Sequence, residues 1–96
     1  MTSTEQAIIN LKNIALLAAI GQDLLTNESE GIKKVITALE RTGYTENSIT
    51  SIIDATIIGT KLHVTFTFFD VNIGEDVDDG SCYLFINDNG LLVADL

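Results

Sequence analysis

The stretch ITSIIDATIIGTKLHVTFTFFD, residues 49–70, decides the fold because the period of its apolar residues changes to two, most clearly at Leu62, Val64, Phe66 and Phe68. A Gly-X turn at Gly59-Thr60 would pair Ile58 with Lys61 and fix the register of an antiparallel hairpin. The resulting core face is predicted to hold three cross-strand pairs: Ile53 with Phe66, Ala55 with Val64, and Ile57 with Leu62. The opposite face is predicted to be polar and to carry Asp54, Thr56, His63 and Thr65.

A second hairpin is predicted over residues 81–87 and 91–95, because the Asn-Gly of Asp88-Asn89-Gly90 is a strong turn signal. Alternation divides its apolar residues into two faces. One face carries Cys82, Leu84, Ile86, Leu91 and Val93, and the other carries Tyr83, Phe85, Leu92, Ala94 and Leu96. Only one of these faces can meet the helices, so the other leaves an apolar patch of the kind that marks interfaces.

Two helices are predicted before the strands. Helix 1, residues 4–25, is apolar on two nearly opposite sides, so both sides need a cover. Its stripes are Ala7, Leu11, Ile14, Ala15, Ala18 and Leu25 on one side, and Ile9, Leu16, Leu17, Ile20 and Leu24 on the other. Helix 2 should begin after the cap residue Asn27 and stop at a left-handed Gly43 followed by Tyr44. The predicted fold is one α+β domain over residues 1–96, with two N-terminal helices packed on one face of a four-stranded antiparallel meander sheet.

Two helices before a meander are similar in general layout to the cystatin-like and NTF2-like groups, although no motif is shared with either. The resemblance implies, as an alternative function, a small-molecule-binding or enzymatic domain with a pocket between helix 1 and the sheet. That alternative predicts a deep cavity lined by core residues with a few convergent polar groups.

The charge balance narrows the classes of partner. The chain has 14 acidic and 5 basic residues, a net charge of -9, and no Lys or Arg beyond residue 61. Direct nucleic-acid binding is disfavoured because it needs clustered cations. Lone Cys82 permits no intrachain disulfide and favours a reducing, cytoplasmic location.

The most apolar stretch, residues 7–20, is interrupted by Asn10, Lys12 and Asn13. Its longest unbroken apolar run, residues 14–20, is shorter than the roughly 20 residues of a membrane span, so no membrane partner is expected. The residues before it also lack the positive charge typical of a signal peptide.

The acidic segment over residues 70–80 is predicted to be an irregular, mobile loop between the middle strands. Three interpretations stay open: calcium binding through its many oxygens, an acidic contact surface, or a solvated connection. Gly74 stands fifth from Asp70 instead of sixth, which departs from the helix-loop-helix calcium motif. We predict no metal or cofactor site from it.

No catalytic site is predicted. The one histidine, His63, and the one thiol, Cys82, are expected at opposite ends of a hairpin, roughly 20 Å apart at about 3.3 Å per residue. The polar face near Asp54 and His63 reads as a solvated strand face, because nothing in the sequence indicates a cleft that would tune an acid-base pair.

The leading functional expectation is a non-enzymatic protein-interaction domain, a small acidic regulator or inhibitor that binds another protein with a basic surface. The residues predicted to bind the partner are Glu75, Asp76, Asp78, Asp79, Tyr83, Phe85 and Leu92. The second apolar side of helix 1 and the patch on the last hairpin also predict a two-fold homodimer.

Overall fold

Two helices and four strands follow one another along the chain in the computed structural model, which describes residues 3–44 and 48–95. The helices are α1 (Ser3–Thr26) and α2 (Glu28–Arg41). The strands are β1 (Ile49–Ile58), β2 (Lys61–Asp70), β3 (Glu75–Ile86) and β4 (Leu92–Asp95). They form one antiparallel sheet in the order β1-β2-β3-β4, and both helices pack against it. The predicted α+β layout is confirmed.

The β1–β2 hairpin has the predicted register next to its turn. Ile58 pairs with Lys61 and Ala55 with Val64, and Gly59 at the turn has a φ of 63°. Further along, a β-bulge brings Ile52 opposite Phe66. The predicted pairing of Ile53 with Phe66 is therefore wrong, because the extra residue of a bulge shifts the parity of the strand. Ile53 is 49% exposed.

The β2–β3 hairpin is longer than predicted. Its turn covers only residues 71–74, with a φ of 70° at Gly74, and β3 begins at Glu75. The prediction of an irregular loop over residues 70–80 is wrong, because cross-strand pairing of Val77 with Phe68 continues the ladder through the acidic residues. A bulge opposite residue 67 accommodates the two consecutive residues 78 and 79.

The β3–β4 register also differs from the prediction. Ile86 pairs with Leu92 and Leu84 with Ala94, so Leu92 and Ala94 share a face with Leu84. The predicted grouping of Val93 with Leu84 is wrong by one residue, and Leu96 lies outside the described residues. The reason lies in the turn, where the Asn87 side-chain oxygen accepts the backbone N–H groups of Asn89 and Leu91, both at 3.0 Å.

The two helices meet at a sharp corner, because Asn27 alone separates them. Asn27 occupies the N-cap position as predicted, but its side chain makes no capping hydrogen bond. Gly31 permits the close approach of the helices, since a Cβ there would lie 2.8 Å from the Leu24 Cα. The predicted stop of the second helix is confirmed: Gly43 has a φ of 92°, and the Tyr44 N–H reaches back to the Leu39 carbonyl at 3.0 Å.

The core joins one face of the sheet to both helices. Its buried members from α2 are Val35, Ala38 and Leu39, whereas α1 contributes only Leu17 and Leu24 as fully buried side chains. The rest of the core comes from the strands: Ile49, Ile52, Leu62, Val64, Phe66, Cys82, Leu84 and Ala94. Both predicted sides of α1 therefore keep exposed apolar side chains: Leu11 is 67% and Leu25 51% exposed on one side, and Leu16 is 50% and Ile9 37% exposed on the other.

Candidate interaction surfaces

The far end of the β2–β3 hairpin carries most of the predicted partner-binding residues. We call it the acidic tip and define it by the carboxylates of Asp70, Glu75, Asp76, Asp78 and Asp79 together with Phe69, Val71 and Ile73. Its turn is held by Asp70, whose side-chain oxygen accepts the Asn72 N–H at 2.9 Å and whose carbonyl accepts the Gly74 N–H at 2.8 Å. The tip is thus an ordered turn on a paired ladder.

The acidic tip also exposes apolar side chains. Val71 is 78% exposed, Ile73 57% and Phe69 39%. Phe69 pairs with Asp76 across the two strands, so an aromatic ring and a carboxylate stand side by side on one face. Such a surface can bury apolar contacts while its carboxylates pair with Lys or Arg of another protein.

Among residues 3–44 and 48–95, no three or more His, Cys, Asp or Glu side chains are grouped closely enough to hold a metal ion.

Tyr83 and Phe85 lie on the open face of the sheet, away from the helices, and two β2 side chains partly cover them. The His63 and Tyr83 ring centroids are 4.7 Å apart, and the Lys61 ammonium lies 4.9 Å from the centre of the Phe85 ring. Lys61 also pairs with Asp95 at 3.1 Å. The predicted apolar patch is therefore present only in part, because a histidine and a lysine share its surface.

Leu92 does not join Tyr83 and Phe85. Its pairing with Ile86 places it on the helix-facing side of the sheet, where it packs against the core. Its carbonyl accepts a hydrogen bond from Arg41 Nη1 at 2.8 Å. The structure thus brings together the four predicted carboxylates of β3, keeps Tyr83 and Phe85 on the open face, and separates Leu92 from both groups.

His63 and Cys82 are closer along the sheet than predicted, but their side chains point to opposite faces. His63 pairs with Tyr83, and Cys82 pairs with Val64. The predicted separation of roughly 20 Å is wrong, because β3 begins six residues earlier than expected and shifts Cys82 to the middle of the hairpin. Cys82 is 1% exposed, and its burial raises the pKa of the thiol to about 11.

The polar part of the open face matches its prediction. Asp54 pairs with Thr65 and Thr56 with His63 across β1 and β2. The Thr56 hydroxyl donates to the Asp54 carboxylate at 3.1 Å, whereas the His63 ring lies against Tyr83. Asp54 and Thr56 are exposed, as a solvated strand face requires.

A second candidate surface runs along α1, where exposed Leu11 and Leu25 stand beside half-buried Ile14 and buried Gly21. We call it the α1 stripe and define it by Ala7, Leu11, Ile14, Ala18, Gly21 and Leu25. Towards its C-terminal end it borders an apolar groove of about 440 Å³, whose far wall is formed by Ala55, Ile57 and Leu62 of the sheet. By length and composition, Thr4–Thr26 is also long and apolar enough to cross a membrane, with a mean hydropathy of 1.3, a test that core helices of soluble proteins and signal sequences also pass.

Sequence reasoning found five members of this stripe but missed Gly21, which has no side chain to enter a hydrophobic pattern. The spacing of the stripe could have indicated Gly21. A glycine that continues the alternating steps of four and three residues leaves a gap between the apolar side chains on that face.

Two further grooves open at the surface. One, of about 340 Å³, brings Lys33, Lys34 and Arg41 of α2 beside Leu92. The other, of about 610 Å³, lies between the first half of α1 and the β3–β4 turn and is lined mainly by polar side chains: Gln6, Asn10, Asn13, Asn87 and Asp88. In both grooves charged or amide side chains, rather than core residues, make most of the lining.

In comparisons with known proteins, no protein-family model, no curated protein and no solved structure matches this chain.

Proposed function

We propose that this chain is a non-enzymatic protein-interaction domain, a small acidic regulator or inhibitor that binds a basic surface of another protein through the acidic tip. The observation that carries the proposal is the mixed character of the tip. Exposed Val71 and Ile73 stand among carboxylates on an ordered hairpin turn. Apolar side chains supply contact area, and the carboxylates select a cationic partner and speed its approach.

A surface with exposed apolar residues alone could bind many different proteins. A surface with negative charge alone would bind basic proteins without discrimination. Their combination favours a partner that places Lys or Arg residues around a small apolar depression. The side chains that would enter the depression are Val71 and Ile73, the two most exposed at the turn.

The alternative of a small-molecule-binding or enzymatic domain has less support. It predicted a deep cavity lined by core residues, whereas the grooves described above open at the surface. The largest of them has amide side chains that could bind a polar ligand, but within the described residues Cys82 is the only group with a clearly shifted pKa, and it is buried away from that groove.

The test uses the purified, immobilised protein to recover partners from a cell extract at low salt, followed by binding measurements with the purified partner. The variant Asp76→Asn with Asp78→Asn removes two charges from the tip and should weaken binding about tenfold or more. The control Glu40→Gln with Asp88→Asn removes the same charge from exposed positions elsewhere and should leave the dissociation constant unchanged.

Equal weakening by both double variants would contradict the proposal, because binding would then depend on net charge and not on the tip. So would a partner whose affinity is unaffected by Asp76→Asn with Asp78→Asn. A second variant, Val71→Ser with Ile73→Ser, keeps the charge and should weaken binding through lost apolar contact alone.

A further inference from the structure

We propose that α1 pairs with α1 of a second copy of this chain, in an antiparallel two-fold dimer built on the α1 stripe. This goes beyond the proposed function and depends on a different surface. The stripe lies beside Leu62 at the start of β2, whereas the acidic tip begins at Asp70 at its end, about 26 Å away along the strand. A dimer would leave both tips free to bind.

The spacing of the stripe is that of a helix that packs on another helix. Its members follow steps of four, three, four, three and four residues: Ala7, Leu11, Ile14, Ala18, Gly21 and Leu25. Alternating steps of four and three residues are those of the a and d positions of a heptad, the spacing that keeps one seam of a helix against a partner. The spacing therefore indicates a helical occupant for the stripe.

The sizes of the side chains indicate which helix. If a second α1 runs antiparallel with its centre at the level of residue 16, whose own side chain points away from the stripe, position i meets position 32 minus i. Leu25 then faces Ala7, Leu11 faces Gly21, and Ile14 faces Ala18. Every large side chain meets a small one, as close packing requires. A foreign helix would need the same order of sizes by coincidence, whereas a second copy has it by symmetry.

The groove beside the stripe supplies the pocket for Leu11. Gly21 forms part of its floor beside Leu62, and a Cβ on Gly21 would lie 3.2 Å from Leu62 Cδ1. Ala18, Gln22, Leu25 and Thr26 of α1 and the sheet complete the lining. In the antiparallel pair, the Leu11 side chain of one copy lies over the Gly21 of the other, so both grooves are filled by the same residue.

Charge is compatible with this arrangement. Two copies of net charge -9 repel each other, so a self-association surface has to be uncharged and distant from the acidic tip. The stripe has no charged member, and the charged residues of α1, which are Glu5, Lys12 and Asp23, lie along another line of the helix. A strongly basic or acidic partner gains nothing at such a surface.

The expected dimer is weak. From Ala7 to Leu25 the stripe is about 27 Å long, and at a width of about 10 Å it offers roughly 300 Å² from each copy. Even with the groove walls added, this is below the roughly 1,200–2,000 Å² total of a standard stable interface. We therefore expect a dissociation constant of about 10–100 μM.

Sedimentation equilibrium from about 5 μM to about 500 μM tests the dimer across that range. The wild-type protein should pass from monomer to dimer. Leu11→Lys places a charge at the pocket and should raise the dissociation constant at least about tenfold. The matched control Leu16→Lys changes a residue that is 50% exposed on the same helix but off the stripe, and it should dimerise normally. A wild-type monomer at the highest concentration, or equal effects of the two variants, would overturn the proposal.

Orientation is tested by disulfide cross-linking with copper-phenanthroline as oxidant, in a Cys82→Ala background. A mixture of the single variants Ala7→Cys and Leu25→Cys should give the mixed disulfide in preference to either homodimer, because those two positions face each other only in the antiparallel pair. Ala7 homodimers in excess would indicate parallel helices and overturn the proposed geometry.

Membrane binding is the competing outcome for the same helix. Flotation with neutral phosphatidylcholine vesicles should leave the protein in solution, since the stripe is satisfied by the second copy. Flotation of the wild-type protein that Leu11→Lys abolishes would assign the stripe to a lipid surface and overturn the dimer.

Discussion

At the scale of single residues, the reactive side chains of this protein are few. Its only thiol is buried on the helix-facing side of the sheet, and its only histidine lies against a tyrosine ring, tilted by 44°, on the other side. Within the described residues, Cys82 alone has a clearly shifted pKa. Desolvation by the surrounding apolar side chains is the cause, since burial penalises the charged thiolate. Cys82 acts in this fold as a small apolar residue.

The raised pKa of Cys82 predicts a loss of stability at high pH. Below pH 9 the thiol is protonated in both the folded and the unfolded chain. As the pH rises from 9 towards 11, the unfolded thiol ionises while the folded one does not, so the unfolded state gains stability. Between pH 8 and pH 10.5 the wild type should lose about 2 kcal/mol more unfolding free energy than Cys82→Ala. Urea unfolding followed by circular dichroism measures both, and equal losses would contradict the prediction.

At the scale of elements, strand pairing decided what the sequence pattern could not. The alternation over residues 62–68 and the glycine turn at Gly59 predicted the central hairpin because both are local signals. The three register shifts, two in β1 and one between β2 and β3, could not be predicted, since one extra residue leaves the local pattern intact while it shifts the parity of everything beyond it. The start of β3 could not be predicted from the sequence, because Asp is disfavoured in strands. Pairing with β2 overrides that preference.

The contact between Phe66 and Gly80 shows how closely β2 and β3 approach. Phe66 is 4% exposed, and a Cβ on Gly80 would lie 2.6 Å from its Cδ2 atom. We expect Gly80→Ala to destabilise the protein by about 1–3 kcal/mol, although alanine is ordinarily the better strand residue. Chemical unfolding measures the change, with the exposed neighbour Ser81→Ala as the control.

Phe66→Leu in the Gly80→Ala background should recover part of the loss, because the smaller side chain gives the methyl group room. A double-mutant cycle isolates this coupling. Additive effects of the two substitutions would show that the ring and the glycine do not compete for the same space.

At the scale of the whole molecule, the protein is elongated. Its extents are 51 × 27 × 19 Å and its radius of gyration is 14.1 Å, above the roughly 12–13 Å expected for a domain of this length. The charge of its second half was visible in the sequence, and so was the excess of apolar surface on the first helix. Which residues of that helix stay exposed could not be predicted, since its two stripes are almost equally apolar and each keeps exposed members.

The separation of the two surfaces predicts opposite responses to salt. Raising sodium chloride from about 0.1 M to about 1 M shortens the Debye length from about 10 Å to about 3 Å. Binding of a basic partner to the acidic tip should weaken steeply, whereas self-association through the uncharged stripe should be unchanged or tighter, because repulsion between the copies is screened. Titrations of both equilibria in one salt series measure this contrast, and a dimer that salt dissociates would place charge at its interface.

The exposed edge of β1 has a consequence for solubility. A ten-residue edge strand with a single charged residue, Asp54, is the kind of segment on which other chains polymerise by backbone pairing. Two features interrupt it: the bulge bends the strand at Ile53, and the Glu28 carboxylate accepts the Ile52 N–H at 3.2 Å, which occupies a donor that an incoming strand would need. The bulge and the Glu28 contact therefore shorten the edge that is open to backbone pairing, and Asp54 adds a charge to it.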